Sequence, residues 1–127
     1  MKIAKCIVVL NQQHTLFPQQ TDLLDDKYST IDYLRVPAAG WTLSQINDVC
    51  DKLLKTDDAD IIMASPIPAM LITLANRIAY SAGVQDGSDI TAGYNALVYT
   101  FHNDKRIKNQ FGDKIVMTVA PDGWVLI

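Results

Sequence analysis

Two short runs constrain this chain more than anything else in it. Residues 3–10 are rich in Ile and Val with no polar alternation, and Ile61-Ile62-Met63-Ala64 is wholly apolar. A strand with one wet face alternates, whereas a strand buried on both faces reads as an unbroken apolar run, as central parallel strands do. Around these runs the order is strand, edge strand, helix, strand, helix, strand and two more strands. Alternating strands and helices imply a parallel core with helices on both faces. The expectation is an α/β, three-layer Rossmann-like domain spanning residues 1–127, with a mostly parallel sheet and a C-terminal antiparallel hairpin.

The remaining elements follow from local signals. Residues 18–27 read as a short helix or irregular connection begun by Pro18. Ser29 to Val36 alternates imperfectly and reads as a second strand nearer the sheet edge, stopped by Pro37-Ala38-Ala39-Gly40. Thr42 with Gln45 three residues on matches a capping box. The apolar residues Leu43, Ile46, Val49, Cys50, Leu53 and Leu54 then follow the helical period. Trp41 reads as a staple to that helix, with base stacking as the alternative. Ala69 to Tyr80 reads as a buried helix capped by Gly83, with Ser65 as N-cap and Pro66 at its first position. Residues 84–94 form a long polar connection. Ala96 to Phe101 is the fourth strand, 105–111 a helical turn, and Ile115–Val119 with Trp124–Ile127 the hairpin, joined at Ala120-Pro121-Asp122-Gly123.

Composition narrows the function. The chain has 127 residues, 49% hydrophobic and 20% charged, with formal net charge −3. That is the length and balance of one globular domain, and it disfavours a broad basic face for duplex nucleic acid. Cys6 lies in an apolar strand and Cys50 on an apolar helix face, which reads as two buried thiols in a reducing cytoplasm. No CxxC or Cys/His cluster is present, so no metal site is expected. The first apolar run is too short to span a membrane and lacks a signal-cleavage pattern. GxGxxG, GxxxxGK[ST] and GxSxG are all absent from the sequence, which disfavours classical dinucleotide, P-loop and α/β-hydrolase chemistry.

In open α/β sheets ligands bind beyond the carboxyl ends of the strands. After the first strand come Asn11, Gln12, Gln13 and His14; after the third, Ser65 and Pro66; in and after the fourth, Thr100, His102, Asn103, Lys105 and Arg106. Histidine serves as acid or base near neutral pH, arginine and lysine hold phosphate, and a helix start at Ser65 favours an anion.

The layout resembles the small single-domain CRISPR-associated ring nucleases and their CARF-type relatives. Leu10-Asn11-Gln12-Gln13-His14-Thr15-Leu16-Phe17-Pro18-Gln19-Gln20 is similar to their polar segment after the first strand. Tyr33-Leu34-Arg35-Val36-Pro37, Asp60 to Gly83, and Val98-Tyr99-Thr100 followed by Lys105 and Arg106 are similar to later segments. The chain departs from the pattern in Ser65-Pro66-Ile67-Pro68, where relatives often carry glycine, and in its apolar C-terminal strand. The resemblance implies a cytoplasmic homodimer that binds a cyclic oligoadenylate across its two-fold axis and cleaves it without metal or other cofactor. His14, His102 and Arg106 would then carry acid–base or charge-stabilising roles. Asn11, Gln12, Gln13, Ser65, Pro66, Thr100, Asn103 and Lys105 would bind the ligand. The competing expectations are a non-catalytic sensor of the same nucleotide and a dimeric α/β adaptor with no nucleotide ligand.

Overall fold

A computed structural model describes residues 2–55, 59–84 and 97–127. The elements run β1 (Ile3–Asn11), α1 (Pro18–Lys27), β2 (Tyr28–Val36), α2 (Leu43–Leu54), β3 (Ala59–Met63), α3 (Pro68–Val84), β4 (Val98–Asn103), β5 (Arg106–Phe111), β6 (Lys114–Val119) and β7 (Trp124–Leu126). Five strands form one sheet in the order β2-β1-β3-β4-β7, and β5 with β6 forms a separate two-stranded sheet. The first four strands of the main sheet are parallel, and β7 is antiparallel to β4. The polar connection read over 84–94 lies, beyond Val84, outside the described residues.

β1 explains why the first run carries no alternation. Its Cys6, Val8 and Leu10 pack with Leu24 of α1, Tyr28 and Ile62, whereas Ile7 and Val9 pack on the other face with residues of α2 and α3. Both faces of the strand are therefore covered, and so are those of β3, all five of whose residues are buried. α2 follows from its own sequence. Thr42 accepts from the Gln45 N–H at 3.2 Å, and the Gln45 side chain accepts from the Thr42 N–H at 2.8 Å. This reciprocal cap satisfies two of the donors a helix start leaves unpaired. Ile46, Cys50, Leu53 and Leu54 then form the buried stripe, with Trp41 packed against the same core.

Three expectations need correction. Residues 106–111 are a strand, not a helical turn, and pair with β6 across Gly112, whose φ is +62°. The C-terminal strand does not fold back on β6. It joins the edge of β4, where Thr100 and Ile127 exchange backbone hydrogen bonds of 2.8 and 2.9 Å. The turn at 120–123 is real, but it returns the chain to β4, and Gly123 takes a left-handed φ of +85° there. Finally, α3 begins at Pro68 and runs through Gly83 to Val84. The Ile67 carbonyl accepts from Met70 and Leu71, so Ile67 rather than Ser65 stands at the helix start.

Cys6 and Cys50 are free and buried. Burial, reinforced by the nearby Asp60, pushes the Cys6 thiol from its ordinary 9.0 up to about 12, and burial also raises Cys50. A thiol whose folded pKa is raised stabilises the fold below its unfolded pKa and loses that contribution as pH climbs through the folded value. Stability is therefore expected to be insensitive to the Cys6 thiol below pH 9 and to fall between 9 and about 12 as that thiol ionises. In the folded protein at pH 8, a thiol reagent should leave both cysteines unmodified for as long as global unfolding is slow. Rapid stoichiometric labelling without unfolding would contradict their burial. Among the described residues no helix is long and apolar enough to cross a membrane.

Candidate functional site

The chain leaves β1 through α1 toward β2, on one side, whereas β3 lies on the other side of β1. Leu24 of α1 packs on one sheet face, and α2 and α3 pack on the opposite face. The connections after β1 and β3 therefore diverge to opposite faces, and a crevice opens where they part, at the carboxyl ends of two adjacent parallel strands. This is where the sequence placed its ligand site.

The crevice is organised by Ser65. Its N–H donates to the Val9 carbonyl at 3.0 Å, which ties the end of β3 to β1. Its hydroxyl oxygen accepts the Asn11 N–H at 2.8 Å and lies 3.4 Å from His14 Nδ1. The Asn11 side-chain oxygen accepts from the Gln13 N–H at 2.9 Å, and the His14 N–H donates to the Asn11 carbonyl at 2.9 Å. These local bonds wind the Asn11–His14 turn tightly enough to bring an imidazole back over the strand end. Gln12 fixes the same turn through its N–H, which donates to the Val36 carbonyl of β2 at 2.8 Å.

Two cavities flank the His14–Ser65 pair, and both are lined by His14, Ala64 and Ser65. One, of about 430 Å³, is walled by Gln13, Thr15, Leu16, Phe17, Gln20 and Trp124. The other, of about 460 Å³, is walled by Asn11, Val36, Gly40, Trp41, Pro66 and Ile67. Each thus has an aromatic wall. Trp124 stacks on Phe17 with ring centres 5.6 Å apart and meets Phe101 edge-on at 6.3 Å. Its backbone N–H donates to the Gln19 side-chain oxygen at 2.8 Å. The indole N–H has no acceptor among the described residues, so the ring is placed by packing rather than by a hydrogen bond of its own.

The residues expected from the end of β4 are placed differently. Thr100 donates its hydroxyl to the Met63 carbonyl at 2.9 Å. His102 Nε2 pairs with Asp104 at 3.1 Å on an exposed surface. Asn103 is buried, donating to the Ala120 and Asp122 carbonyls and accepting from the Lys105 N–H. Lys105 pairs with Asp122 at 2.7 Å, and this hydrogen bond holds the Asp122 carboxyl below its ordinary range. Arg106 donates to the carbonyls of Asn103 and Lys105 at 2.8 and 3.0 Å. Neither cavity is lined by any of these five. Asn103, Lys105 and Arg106 tie together the corner where β4 passes to the hairpin and β7 returns, whereas Thr100 links β4 to the end of β3.

Two contributors escaped the sequence reading. Arg35 donates to the His14 carbonyl at 3.0 Å and lies over the Tyr33 ring at 5.2 Å. It is a cation at the carboxyl end of a parallel strand, and that position was the available signal. Trp124 reaches the crevice only because β7 joins β4, a long-range pairing that no local pattern announces. Pro66 and Pro68 lack N–H groups, so the start of α3 offers a poorer anion cradle than a capped helix would. Among the described residues no group of three or more His, Cys, Asp or Glu side chains could hold a metal ion. The chain matches no family model, no curated protein and no solved structure.

Proposed function

We propose that the crevice binds a nucleotide whose phosphodiester lies over the His14–Ser65 pair, with a nucleobase in each flanking cavity. The single observation behind this is the shared pair: one imidazole and one hydroxyl between two cavities of similar volume, each with a tryptophan wall. Base stacking on aromatic rings contributes about 1–3 kcal/mol per base. Together with the layout resemblance, this supports a Rossmann-like domain of CARF type that acts as a metal-independent ring nuclease on a cyclic oligoadenylate, at a homodimer interface.

The residues suit such a step. Ser65 Oγ already accepts the Asn11 N–H, and its second lone pair can accept from His14 Nδ1. In that tautomer Nε2 is the free base. The ribose 2′-hydroxyl gives its proton to Nε2 as its oxygen attacks phosphorus. The P–O5′ bond breaks, the departing O5′ takes a proton from solvent water while His14 returns its own to solvent, and the products are a 2′,3′-cyclic phosphate and a 5′-hydroxyl. Arg35 supplies positive charge beside the loop, and Gln13 and Thr15 supply hydrogen-bonding groups on one wall. A positioned base contributes about 10²–10⁴-fold, and alignment of the hydroxyl adds to it.

The test is incubation with cyclic tri-, tetra- and hexa-adenylate in EDTA, followed by chromatography. Conversion of one ring to linear adenylates is expected. Ligand-induced thermal stabilisation without conversion would replace the nuclease with a sensor, and neither effect would remove the nucleotide reading.

A further inference from the structure

The β5–β6 hairpin is a two-stranded sheet on its own, and a lone hairpin is marginally stable in water. The register puts Arg106, Lys108, Gln110, Ile115 and Met117 on one face of it. Ile115 and Met117 on that face are 55% and 57% exposed. The hairpin carries three cations, Arg106, Lys108 and Lys114, against Asp113 alone, although the chain is net −3.

A complementary surface exists on α1. Asp22, Asp25 and Asp26 are exposed and spaced for one helix face, and none is paired with a cation among the described residues. Lys27, the one cation of that helix, lies over the Tyr99 ring instead, 3.7 Å from its centre. The N-cap of α1 is Phe17, 41% exposed. The spacings also agree. Arg106 and Lys108 are roughly 7 Å apart along a strand. Asp22 and Asp26 are about 6 Å apart along a helix.

We propose that the hairpin is an exchange arm for a second copy of this chain. Each protomer lays the Arg106–Lys108–Met117 face on its partner's α1, with the cations over the aspartates and the apolar pair toward Phe17. A two-fold operator makes the contact reciprocal, so two arm–helix contacts form together. A standard stable interface buries roughly 1,600 Å² in total, which the two contacts would share. The inference stands on the hairpin and α1 alone, and does not depend on what the crevice binds.

The experiment is sedimentation equilibrium on the full chain without nucleotide. The wild type is expected to dimerise, with affinity falling as salt rises. Lys108→Asp and Asp22→Lys should each weaken the dimer at least 10-fold, and the combined variant should recover most of that loss. Both positions are exposed, and circular dichroism checks that each variant is folded. A monomeric wild type would overturn the proposal, whether or not the arm then bound an oligonucleotide or another protein. So would single charge reversals that leave the dimer intact, or a combined variant with no recovery. Ring cleavage is scored separately, so its absence in a dimeric protein counts against the nucleotide reading only.

Discussion

His14→Ala is expected to lower the rate of cyclic oligoadenylate cleavage by about 10²–10⁴-fold, the range a positioned proton acceptor contributes. Its melting temperature should stay within a degree or two of wild type. The imidazole is exposed, and its one polar side-chain contact among the described residues is long, the 3.4 Å approach to Ser65 Oγ. Binding of the uncleaved ring should persist in this variant, because the aromatic walls, Trp124 with Phe17 in one cavity and Trp41 in the other, are untouched. Ser65→Ala should act on both quantities. It removes the acceptor for the Asn11 N–H, so the turn that carries His14 loosens, and cleavage falls together with some stability. An unchanged rate in His14→Ala, measured on protein that binds the ring, would refute the assigned base.

The second large effect is on the fold. The Tyr28 hydroxyl donates to Asp60 Oδ2 at 2.7 Å, and Asp60 is only 7% exposed. The other Asp60 oxygen accepts from the Leu97 N–H at 3.4 Å. Burial, followed by the hydrogen bond and the negative field of Asp60, pushes the Tyr28 phenol well above its ordinary range, so it stays a donor at any working pH. Tyr28→Phe leaves a buried carboxylate oxygen without its proton donor. The expected cost is about 2–3 kcal/mol, that of a hydrogen bond to a charged group. For a chain of this length that lowers the melting temperature by roughly 10 °C. Tyr99→Phe is the contrast. Tyr99 is only half-buried and its ring still meets Lys27, so the change should stay within about 0.5 kcal/mol. Thermal denaturation of the two variants side by side checks this, and equal melting temperatures would mean that Asp60 does not depend on Tyr28.

Where the sequence was legible, a single local rule was enough. The run at 3–10 gave a central strand because both of its faces meet apolar side chains, Leu24 and Ile62 on one and Val36 and Met63 on the other. Thr42 and Gln45 gave the start of α2 because a capping box needs only four residues. The position of the crevice was legible from topology: the carboxyl ends of adjacent parallel strands border one in an open α/β sheet, and Asn11, Gln13, His14 and Ser65 line the two cavities there.

The misses are cases where a distant partner decided. Ala120-Pro121-Asp122-Gly123 is a strong turn, and a turn between two strands suggests that they pair. The free edge of β4 competes for the last strand, however, and takes it, as the Asp104 N–H to Gly123 carbonyl bond of 2.9 Å and the Thr100–Ile127 pair record. That leaves β6 to pair with Arg106–Phe111, whose mixed polar pattern looked unlike a strand. The same choice carries Trp124 to the crevice wall. For α3 the competing feature was Ser65 itself. Its hydroxyl accepts from the neighbouring strand end, so it is not available to cap the helix, and the chain runs two more residues before turning helical at Pro68.

The crevice can be tested directly because the chain has two histidines, His14 and His102. The measurement is the imidazole proton spectrum of the protein in EDTA, titrated in turn with cyclic tri-, tetra- and hexa-adenylate at low temperature. His14 stands between the two cavities, whereas His102 is paired with Asp104 and lines neither. The account predicts that at least one ring shifts the His14 resonances saturably and leaves those of His102 in place. A His14 signal indifferent to all three rings, or a shift confined to His102, would contradict it.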